Sequence, residues 1–408
     1  MQNQSTPSVR SLPESPNLRQ LKDEAKALLK ARQAASLAAA QFRIAREYGF
    51  TSWPKLKTHI ESLEASLREI AELKQAIDSN DLENVKRLMT LNPELHRAPL
   101  GYGKNGPLTW VAECRVPWES PSPARLAMAQ WMIDNGSDIH QGGDGPLMRA
   151  ALVDERIPMM ELLVRNGANV NAEWAGHFPI VYAPCETVEP QALKWLLDHG
   201  ADPNCEGLSR PYLDSALDYV IGTYSRSPNL AACIDILADR GCRSRRDMPA
   251  VVDLLRGRID LFAQRLDADP SLVTARFPEF DFGSSGARRL LLRGATLLHV
   301  AAEYGSIQAA QLLLDRGADV NARAEIDVSG VGGQTPIFHA ATQFYDFGFP
   351  MVEFLLKHGA SLSIRAKIPG HYERPEEFVE CSPLEYAQLF PGSENRTVDF
   401  LRSAQPEA

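Results

Sequence analysis

The sequence predicts an all-α fold, a solenoid of short helical units stacked side by side, and two observations support this prediction. The first is a recurring phrase: Leu312–Arg323 reads LLLDRGADVNAR, and Leu162–Ala172 reads LLVRNGANVNA. The second is its spacing, because the glycine of the phrase recurs at Gly136, Gly167 and Gly200, at intervals of 31 and 33 residues. A period near 33 residues is typical of repeat proteins, in which each unit buries its apolar surface only against its neighbours.

The composition is that of an ordinary folded protein and gives no sign of a nucleic-acid-binding surface. Of the 408 residues, 44% are hydrophobic and 23% are charged. The net charge of −9 opposes general binding to polyanions, so we predict no nucleic-acid partner. Four arginines between Arg240 and Arg246 form a local basic run, which we interpret as solvated charges on an exposed turn.

The N-terminal residues and the cysteines favour a reducing cytoplasm. Residues 1–16 are polar, so we expect a disordered leader without the apolar core of a secretion signal. No run of 18 apolar residues occurs, so we expect no membrane-spanning segment. The six cysteines form no C-x-x-C pair and no ligands stand at zinc-finger spacing, so we expect no metal and no cofactor.

Three helices are expected near the N-terminus, in a cap module over residues 17–69. Asn17 is a good N-cap for the first helix. The second helix is expected over Leu37–Tyr48, and Ser52 is expected to cap the third, with Pro54 in its first turn. The apolar stripe of the third helix consists of Leu56, Ile60, Leu63, Leu67 and Ile70.

The second half of the chain holds the clearest repeats. Gly294–Arg323 reads GATLLHVAAEYGSIQAAQLLLDRGADVNAR, and Gly333–Ala341 reads GQTPIFHAA. The pattern is a turn, a Thr-capped first helix with small residues, a second helix and a glycine that ends it. It resembles the ankyrin-repeat family, over roughly residues 70–400. The resemblance implies helix-turn-helix units with finger loops, and a protein that binds other macromolecules through its first helices and fingers.

Other units depart from the family pattern, which leaves the register of single repeats open. Asp144–Ala151 (DGPLMRAA) lacks the Thr and the His, and Leu213–Val220 is barely similar. Ser382–Gln388 is expected to be the first helix of a final unit, and Val398–Ala404 a short end cap. A glycine in the left-handed conformation is expected after each second helix, at Gly136, Gly167, Gly200, Gly241, Gly317 and Gly359.

A second resemblance concerns the cap module. Ala40–Glu61 reads AQFRIAREYGFTSWPKLKTHIE and resembles the helical module found ahead of many bacterial ankyrin-repeat proteins. Its aromatic residues are Phe42, Tyr48, Phe50 and Trp53. We interpret the module as a hydrophobic cap over the open end of the solenoid, with a partner-docking surface as the alternative.

A longer symmetry divides the repeats into two sub-arrays. Ala76–Ala98 aligns with Leu254–Arg276, and a slip of one residue matches Asn92-Pro93 with Asp269-Pro270. Both segments resemble the atypical opening unit of an ankyrin array. The expected sub-arrays are residues 70–247 and residues 248–408, the latter with a C-terminal cap.

Long finger loops are the first place where binding residues are expected. The loops are Ala172–Pro179, Cys205–Asp214, Arg323–Gln334 and Ile364–Pro383, and Gly330–Gly333 is interpreted as a flexible finger. Their candidate contact residues are Trp174, His177, Tyr212 and Tyr372. Long ordered loops on a rigid scaffold are frequent binding elements, with tolerated surface insertion as the alternative.

The first helices supply a second set of candidate contact residues. Exposed aromatic side chains together with arginine are typical of interface hot spots. The candidates are Trp110, Glu113, Arg149, Tyr182, Tyr304 and His339. The alternative is that the aromatic residues fill the space between repeats. His299 takes the place of the family's structural histidine, so we interpret it as a hydrogen-bonded scaffold residue.

No catalytic motif is recognisable, so an enzyme or a small-molecule-binding protein is the second hypothesis. The sequence has no H-E-x-x-H, no G-x-S-x-G and no G-K-[ST] phosphate loop. An acid/base pocket in the concave face would use His339, Glu303 and Tyr182. An enclosed polar pocket around them would favour this hypothesis, whereas an open groove would favour a scaffold.

The first hypothesis is a cytoplasmic scaffold for protein–protein interaction. The partner protein would lie in the concave groove and against the fingers. Aromatic residues would anchor it there, and acidic residues would attract its basic surface. The sequence does not identify this partner.

Overall fold

The structure is a computed structural model. It describes residues 10–13, 16–113, 120–205, 215–223, 226–278, 280, 282, 290–343, 346–371, 373–374, 377–390 and 396–405. The chain divides into two compact units. The first unit consists of Met1–Arg115 and Ser122–Asp138, and the second of Val116–Pro121 and Ile139–Ala408.

The helices of the first unit begin where the sequence places their caps. They are α1 (Leu18–Lys30), α2 (Leu37–Glu47), α3 (Trp53–Asp78), α4 (Leu82–Leu91), α5 (Pro107–Ala112) and α6 (Pro123–Asp134), with 3-10 turns at Pro93–Arg97 and Tyr102–Lys104. The side chain of Asn17 accepts a hydrogen bond from the Arg19 N–H at 2.8 Å. The hydroxyl of Ser52 accepts one from the Lys55 N–H at 3.4 Å. Both predicted N-caps are therefore confirmed.

The first three helices share a small apolar core. Its buried members are Leu18, Leu21, Ala25, Ala40, Ile44, Ala45, Tyr48, Leu56 and Ile60. Phe50 and Trp53 pack against this core, whereas Phe42 is exposed. The predicted cap module thus has a core of its own, and its role as the end cap of the array stays a prediction.

Helix α3 continues past the predicted end of the cap module. It runs without interruption from Trp53 to Asp78, so the boundary predicted after residue 69 lies inside a helix. The predicted apolar stripe is interrupted at Leu67, which is exposed. Burial resumes at Leu73 and Ile77, and α3 also packs on α4 and α5. One helix therefore serves both the small N-terminal core and the helices that follow.

The second unit is a series of short helix pairs. Its helices are α7 (Gln141–Ala150), α8 (Ile157–Arg165), α9 (Tyr182–Thr187), α10 (Pro190–Asp198), α11 (Ala216–Gly222), α12 (Leu230–Asp239), α13 (Pro249–Leu255), α14 (Ile259–Ala268), α15 (Leu297–Glu303), α16 (Ile307–Asp315), α17 (Pro336–Ala341), α18 (Phe349–Lys357), α19 (Pro383–Ala387) and α20 (Arg396–Ser403). First helices pack side by side, α15 on α17 and α17 on α19, and second helices do the same, α14 on α16 and α16 on α18. In the part of the chain that the structure describes, no helix is long and apolar enough to cross a membrane.

Glycines end the second helices, as the sequence predicts. All six predicted glycines have a positive φ, from +76° at Gly241 to +110° at Gly136. A Cβ atom at any of the six would meet no atom within 4 Å. The requirement is therefore one of backbone conformation and not of space.

The two predicted opening units share one local structure. After α4, the side chain of Asn92 accepts from the Glu94 N–H at 3.2 Å and begins a 3-10 turn. After α14, the carboxylate of Asp269 accepts from the Ser271 N–H at 3.1 Å and begins another. The φ and ψ angles are −133° and 90° at Asn92, and −139° and 85° at Asp269. The alignment of the two segments is thus confirmed as local structure, whereas the division into sub-arrays at residue 247 stays a prediction.

Two short hairpins distinguish the structure from a purely α-helical fold. Strand β1 (Glu173–Trp174) pairs antiparallel with β2 (Phe178–Pro179). Strand β3 (Ala366–Pro369) pairs antiparallel with β4 (Phe378–Cys381). Both hairpins lie in predicted finger loops. Pairing gives hydrogen-bond partners to backbone groups that no helix satisfies, so long fingers favour hairpins.

Candidate functional site

The structure separates the predicted site residues by depth. Trp110, Arg149, Trp174 and Tyr304 are partly buried, and His177 is exposed. Glu113, Tyr182, Glu303 and His339 are buried. Tyr212 and Tyr372 lie outside the described residues. A buried side chain offers no surface to a docked protein, so Glu113, Tyr182 and His339 are corrected from contact residues to interior residues.

Two of the predicted contact residues hold the first unit together. The indole N–H of Trp110 donates to the Asp78 carboxylate at 2.7 Å, and Lys74 Nζ lies 4.7 Å from the centre of a Trp110 ring. The carboxylate of Glu113 accepts from the Tyr102 N–H at 3.1 Å. These contacts tie α5 to α3 and to the turn before α5.

Tyr182 lies in a row of aromatic rings that begins at the first finger. The ring centres are 6.3 Å apart for Trp174 and Phe178, 5.9 Å for Phe178 and Tyr182, and 4.3 Å for Tyr182 and Tyr219. Burial raises the pKa of Tyr182 far above its ordinary value, with a smaller contribution from Cys205. Such a phenol gives up its proton too reluctantly to serve as an acid/base group near neutral pH. The row instead packs the β1–β2 hairpin onto α9 and α11.

His299 is the hydrogen-bonded scaffold residue that the sequence predicts. Its Nδ1 accepts from the Thr296 backbone N–H at 3.2 Å, so Nε2 carries the proton and donates to the Gln334 carbonyl at 3.0 Å. Complete burial, with a smaller contribution from nearby His339, lowers the pKa of His299 to about 3. The neutral ring therefore joins Thr296, at the start of α15, to Gln334, which lies just before α17.

Glu303 and His339, predicted as an acid/base pair, do meet in the structure. Glu303 Oε2 lies 2.9 Å from His339 Nδ1. Glu303 Oε1 accepts from Arg226 Nη2 at 3.0 Å and from Arg226 Nε at 3.2 Å. The amide of Gln343 donates to the backbone carbonyls of Glu303 and His339, at 3.0 and 2.9 Å. All three charged or ionisable side chains, Arg226, Glu303 and His339, are buried, and we name them the interior ion cluster.

Tyr304 extends the interior ion cluster toward α11. Its hydroxyl donates to the Ile221 carbonyl at 2.7 Å, and the Arg226 guanidinium lies 4.4 Å from the centre of its ring. The turn between α11 and α12 is thereby joined to the end of α15. The pair α13–α14 lies between these elements in sequence, so the contact skips one helix pair.

The geometry of the interior ion cluster fits a structural contact and not a catalytic pair. Both carboxylate oxygens of Glu303 already accept hydrogen bonds. A cavity of about 350 Å³ lies beside the cluster and is lined by Arg226, Glu303 and Tyr304, but neither by His339 nor by Tyr182. A catalytic base must come within hydrogen-bond distance of its substrate. Of the predicted combination of His339, Glu303 and Tyr182, only Glu303 lines this cavity.

Two consecutive fingers pair into one antiparallel ribbon. Ile326 bridges to Gly332 within its own loop. The Gly332 N–H then donates to the Lys367 carbonyl of β3 at 2.7 Å, and Lys367 is opposite Glu380 of β4. We name this structure the finger ribbon; it consists of residues 324–334, 366–369 and 378–381. Backbone pairing thus joins loops that the sequence presents as independent.

The glycine-rich part of the finger ribbon is a tight turn, which corrects the flexible finger expected there. The Asp327 carboxylate accepts from the Ser329 N–H at 2.8 Å and from the Val331 N–H at 2.9 Å. Gly332 has a φ of +122°, and a Cβ atom there would lie 2.0 Å from the Glu325 carbonyl oxygen. The close approach of the two backbone segments therefore requires glycine.

A cavity of about 390 Å³ lies beside the finger ribbon, and we name it the finger cavity. Leu291, Ile326, Val331 and Ile368 form most of its apolar lining. Its polar lining consists of Arg293, Glu325, Asp327 and Gln334. Apolar walls with a few placed polar groups are typical of binding sites.

Large apolar side chains are exposed around the finger cavity. The exposed fraction is 39% for Leu291, 47% for Phe378 and 55% for Ile326, and Val328 is fully exposed. Leu291 and Ile326 line the cavity, and Val328 lies in the turn that follows Ile326. Phe378 is opposite Pro369, which also lines the cavity. Single exposed apolar residues are common, but a group of them beside a cavity marks an interaction site.

The sequence-based prediction omits all four of these residues. It selects aromatic and ionisable side chains on first helices and fingers, whereas the exposed group is mostly aliphatic. A signal was present in Glu325–Ser329 (EIDVS), where apolar residues alternate with polar ones inside a loop. Alternation of this kind is typical of a strand with one apolar face.

A known protein family matches the part of the chain that holds the interior ion cluster's Glu303 and His339. Residues 269–366 match the family model of ankyrin repeats, in three copies. This segment is made of ankyrin repeats. The ankyrin repeats contain Glu303, His339 and Gln334, and they agree with the predicted all-α repeat fold. The bacterial-type cap module lies outside the matched residues and stays a prediction.

Two known proteins are similar to parts of the chain. The chain is 38% identical to the B-cell lymphoma 3 protein homolog of Mus musculus over 86 residues. These residues are 20% of this chain and 17% of the mouse protein. The chain is also similar to the crystal structure of the human ASB11 ankyrin repeat domain, at 20% identity and a TM-score of 0.32, over 64% of this chain and 99% of that one. The chain thus spans a small share of the mouse protein.

Proposed function

We propose that this chain is a scaffold for protein–protein interaction and that its partner docks on the finger surface of the second unit. The finger surface consists of the finger ribbon, Leu291 and the finger cavity. The observation that carries the proposal is a group of four exposed apolar side chains: Leu291 and Ile326 line that cavity, and Val328 and Phe378 lie in the adjoining finger ribbon. Ankyrin repeats are generally protein-interaction scaffolds, which supports a protein as the partner. Rigid elements that present an apolar patch are well suited to this role.

The finger surface replaces most of the groove contacts predicted from the sequence. Of those residues, Arg149, Trp174, His177 and Tyr304 keep some exposure and remain secondary contact candidates. We also propose that the scaffold works in the cytoplasm. The five described cysteines are unpaired and buried, which supports a reducing compartment. The cavity beside the interior ion cluster is lined by neither His339 nor Tyr182, so it does not support the enzyme alternative.

A peptide selection tests the proposed docking surface. Random 16-residue peptides displayed on phage are selected against the full-length chain, and each recovered peptide is then measured against the double variant Ile326→Asp, Val328→Asp. We expect the variant to bind them at least about tenfold more weakly, because a charge opposes burial of apolar surface. Circular dichroism checks that the helix content of the variant is unchanged.

The control is Leu91→Asp, which places one such charge on an exposed apolar residue of the first unit. It should leave peptide affinity unchanged. Peptides that bind the double variant as well as they bind the unmodified chain would place the docking surface elsewhere and refute the proposal.

A further inference from the structure

We infer that the finger cavity receives a basic side chain, an arginine or a lysine, from the partner protein. The inference rests on the proposed function, since it names the chemistry that the finger surface selects. Its support consists of an unsatisfied buried acceptor, an excess of carboxylates and an apolar lining that matches a long aliphatic stem.

The unsatisfied acceptor belongs to Gln334. This side chain lines the finger cavity and is only 4% exposed. Its Nε2 donates to the Leu291 carbonyl at 3.2 Å, whereas its Oε1 receives no hydrogen bond from any described residue. A buried amide oxygen without a donor is costly, and a carbonyl oxygen can be satisfied only by a donor. Guanidinium and ammonium groups carry donors and no acceptors, so either can satisfy Oε1 once the Gln334 side chain turns this buried atom toward the cavity.

The charges of the finger cavity also favour a cation. Its lining holds two carboxylates, Glu325 and Asp327, and one guanidinium, Arg293. Asp327 uses its Oδ1 to order the turn, through Ser329 and Val331. Glu325 forms no side-chain hydrogen bond or ion pair with the part of the chain that the structure describes. The net charge of the lining is therefore negative, and one carboxylate is available to a ligand.

The apolar lining suits the stem of a long basic side chain. Arginine and lysine bury their methylene groups on apolar surface while the charged end finds polar partners. Leu291, Ile326 and Ile368 supply such a surface in the lining of the finger cavity. An acidic side chain would place a carboxylate beside Glu325 and could not satisfy Gln334, so it is disfavoured.

Short peptides test the inference without a known partner. The probe is the blocked pentapeptide Ala-Ala-Arg-Ala-Ala, with copies that carry lysine, citrulline or glutamate at the centre. Each is titrated into the full-length chain labelled at its isoleucine methyl groups, and the signals of Ile326 and Ile368 are followed by NMR. We expect saturable shifts with the arginine and lysine peptides, and affinity for the isosteric but neutral citrulline peptide lower by about tenfold.

Two variants assign the binding to the finger cavity. Glu325→Gln removes the charge at nearly constant shape, and Gln334→Met removes the acceptor at similar volume. Each should weaken the arginine peptide severalfold. Glu353→Gln, a charge-matched change at an exposed position of α18, should leave it unchanged.

The possible results separate this inference from the proposed function. Equal binding of the citrulline and arginine peptides, no methyl shift, or tighter binding of the glutamate peptide would overturn the basic-side-chain inference. If the selected 16-residue peptides still lose affinity for the Ile326→Asp, Val328→Asp variant, the proposed docking surface stands without it. If they bind that variant normally, the proposed function itself fails.

Discussion

At the scale of single residues, burial decides what the histidines and acids of this chain do. His299 and His339 lie in neighbouring first helices, and their ring centres are 5.8 Å apart. His299 is neutral and holds backbone groups on both sides, whereas His339 faces the carboxylate of Glu303. A sequence pattern indicates a histidine's position along a helix but not whether its side chain is buried. Only the tertiary structure therefore distinguishes a buried scaffold histidine from a histidine on the surface.

Replacing His299 by glutamine should reduce the acid sensitivity of the fold. The pKa of His299 is about 3 in the folded chain, whereas the ordinary pKa of histidine, which we take for the unfolded chain, is 6.5. The unfolded chain therefore takes up the proton first, so the contribution of the neutral ring is complete above pH 6.5 and is lost as the pH falls toward 3. Glutamine can still accept from the Thr296 N–H in a capping box and does not titrate.

Urea unfolding at pH 7, 6 and 5 checks this prediction. The free energy of unfolding should fall more steeply with decreasing pH in the unmodified chain than in His299→Gln, by at most about 1.4 kcal/mol per pH unit. His177→Gln, at an exposed position, is the control and should follow the unmodified chain. Parallel pH profiles for His299→Gln and the unmodified chain would contradict the prediction, because they would show that His299 has the same pKa in the folded and the unfolded chain.

At the scale of elements, local sequence signals explain where helices begin and end. Asn17, Ser52 and Asn92 act as caps through hydrogen bonds that span two or three residues, so they need no tertiary context. The finger hairpins were not predicted, because their strands are short and pair across a loop or with another finger. Gly332 and Lys367 form such a pair, and no pattern in the sequence near either residue predicts it.

Replacing Gly317 by alanine should destabilise the end of α16. Its φ is +89°, and there is open space around it, so strain of the left-handed backbone is the main cost. We expect a loss of about 1 kcal/mol in the free energy of unfolding for Gly317→Ala. Gly317→Asn should cost less, because asparagine tolerates this conformation better. Thermal unfolding measures both; an alanine variant as stable as the unmodified chain would contradict the proposed role of the glycine.

At the scale of the whole molecule, contacts between distant helix pairs hold the second unit together. Arg226 and Glu303 are separated by 77 residues, and their buried ion pair skips the pair α13–α14. Tyr304 adds a hydrogen bond to Ile221 in the same place. The two predicted sub-arrays meet at residue 247, so this contact joins residues on either side of that boundary. Repeat proteins otherwise rely on contacts between adjacent units.

Breaking this contact should be costly. Arg226→Met leaves the Glu303 carboxylate buried with His339 as its remaining charged or ionisable partner in the interior ion cluster, so we expect a loss of about 3–5 kcal/mol. Hydrogen exchange should increase in α11 and α15 together. Arg402→Met breaks an exposed pair with Asp399 and should cost less than about 1 kcal/mol. Equal urea midpoints for the two variants would show that the buried pair stabilises the fold no more than the exposed pair does.

The sequence by itself determined the repeat period, the positions of most helices, their caps and the glycines that end them. These features depend on interactions within a few residues, which a pattern along the chain records directly. Only the tertiary structure decided that Tyr182 and His339 lie inside, that Arg226 meets Glu303, and that two fingers join beside a cavity around Gln334. Burial and long-range pairing depend on how units stack, and in divergent repeats the stacking partners leave no local signal in the sequence.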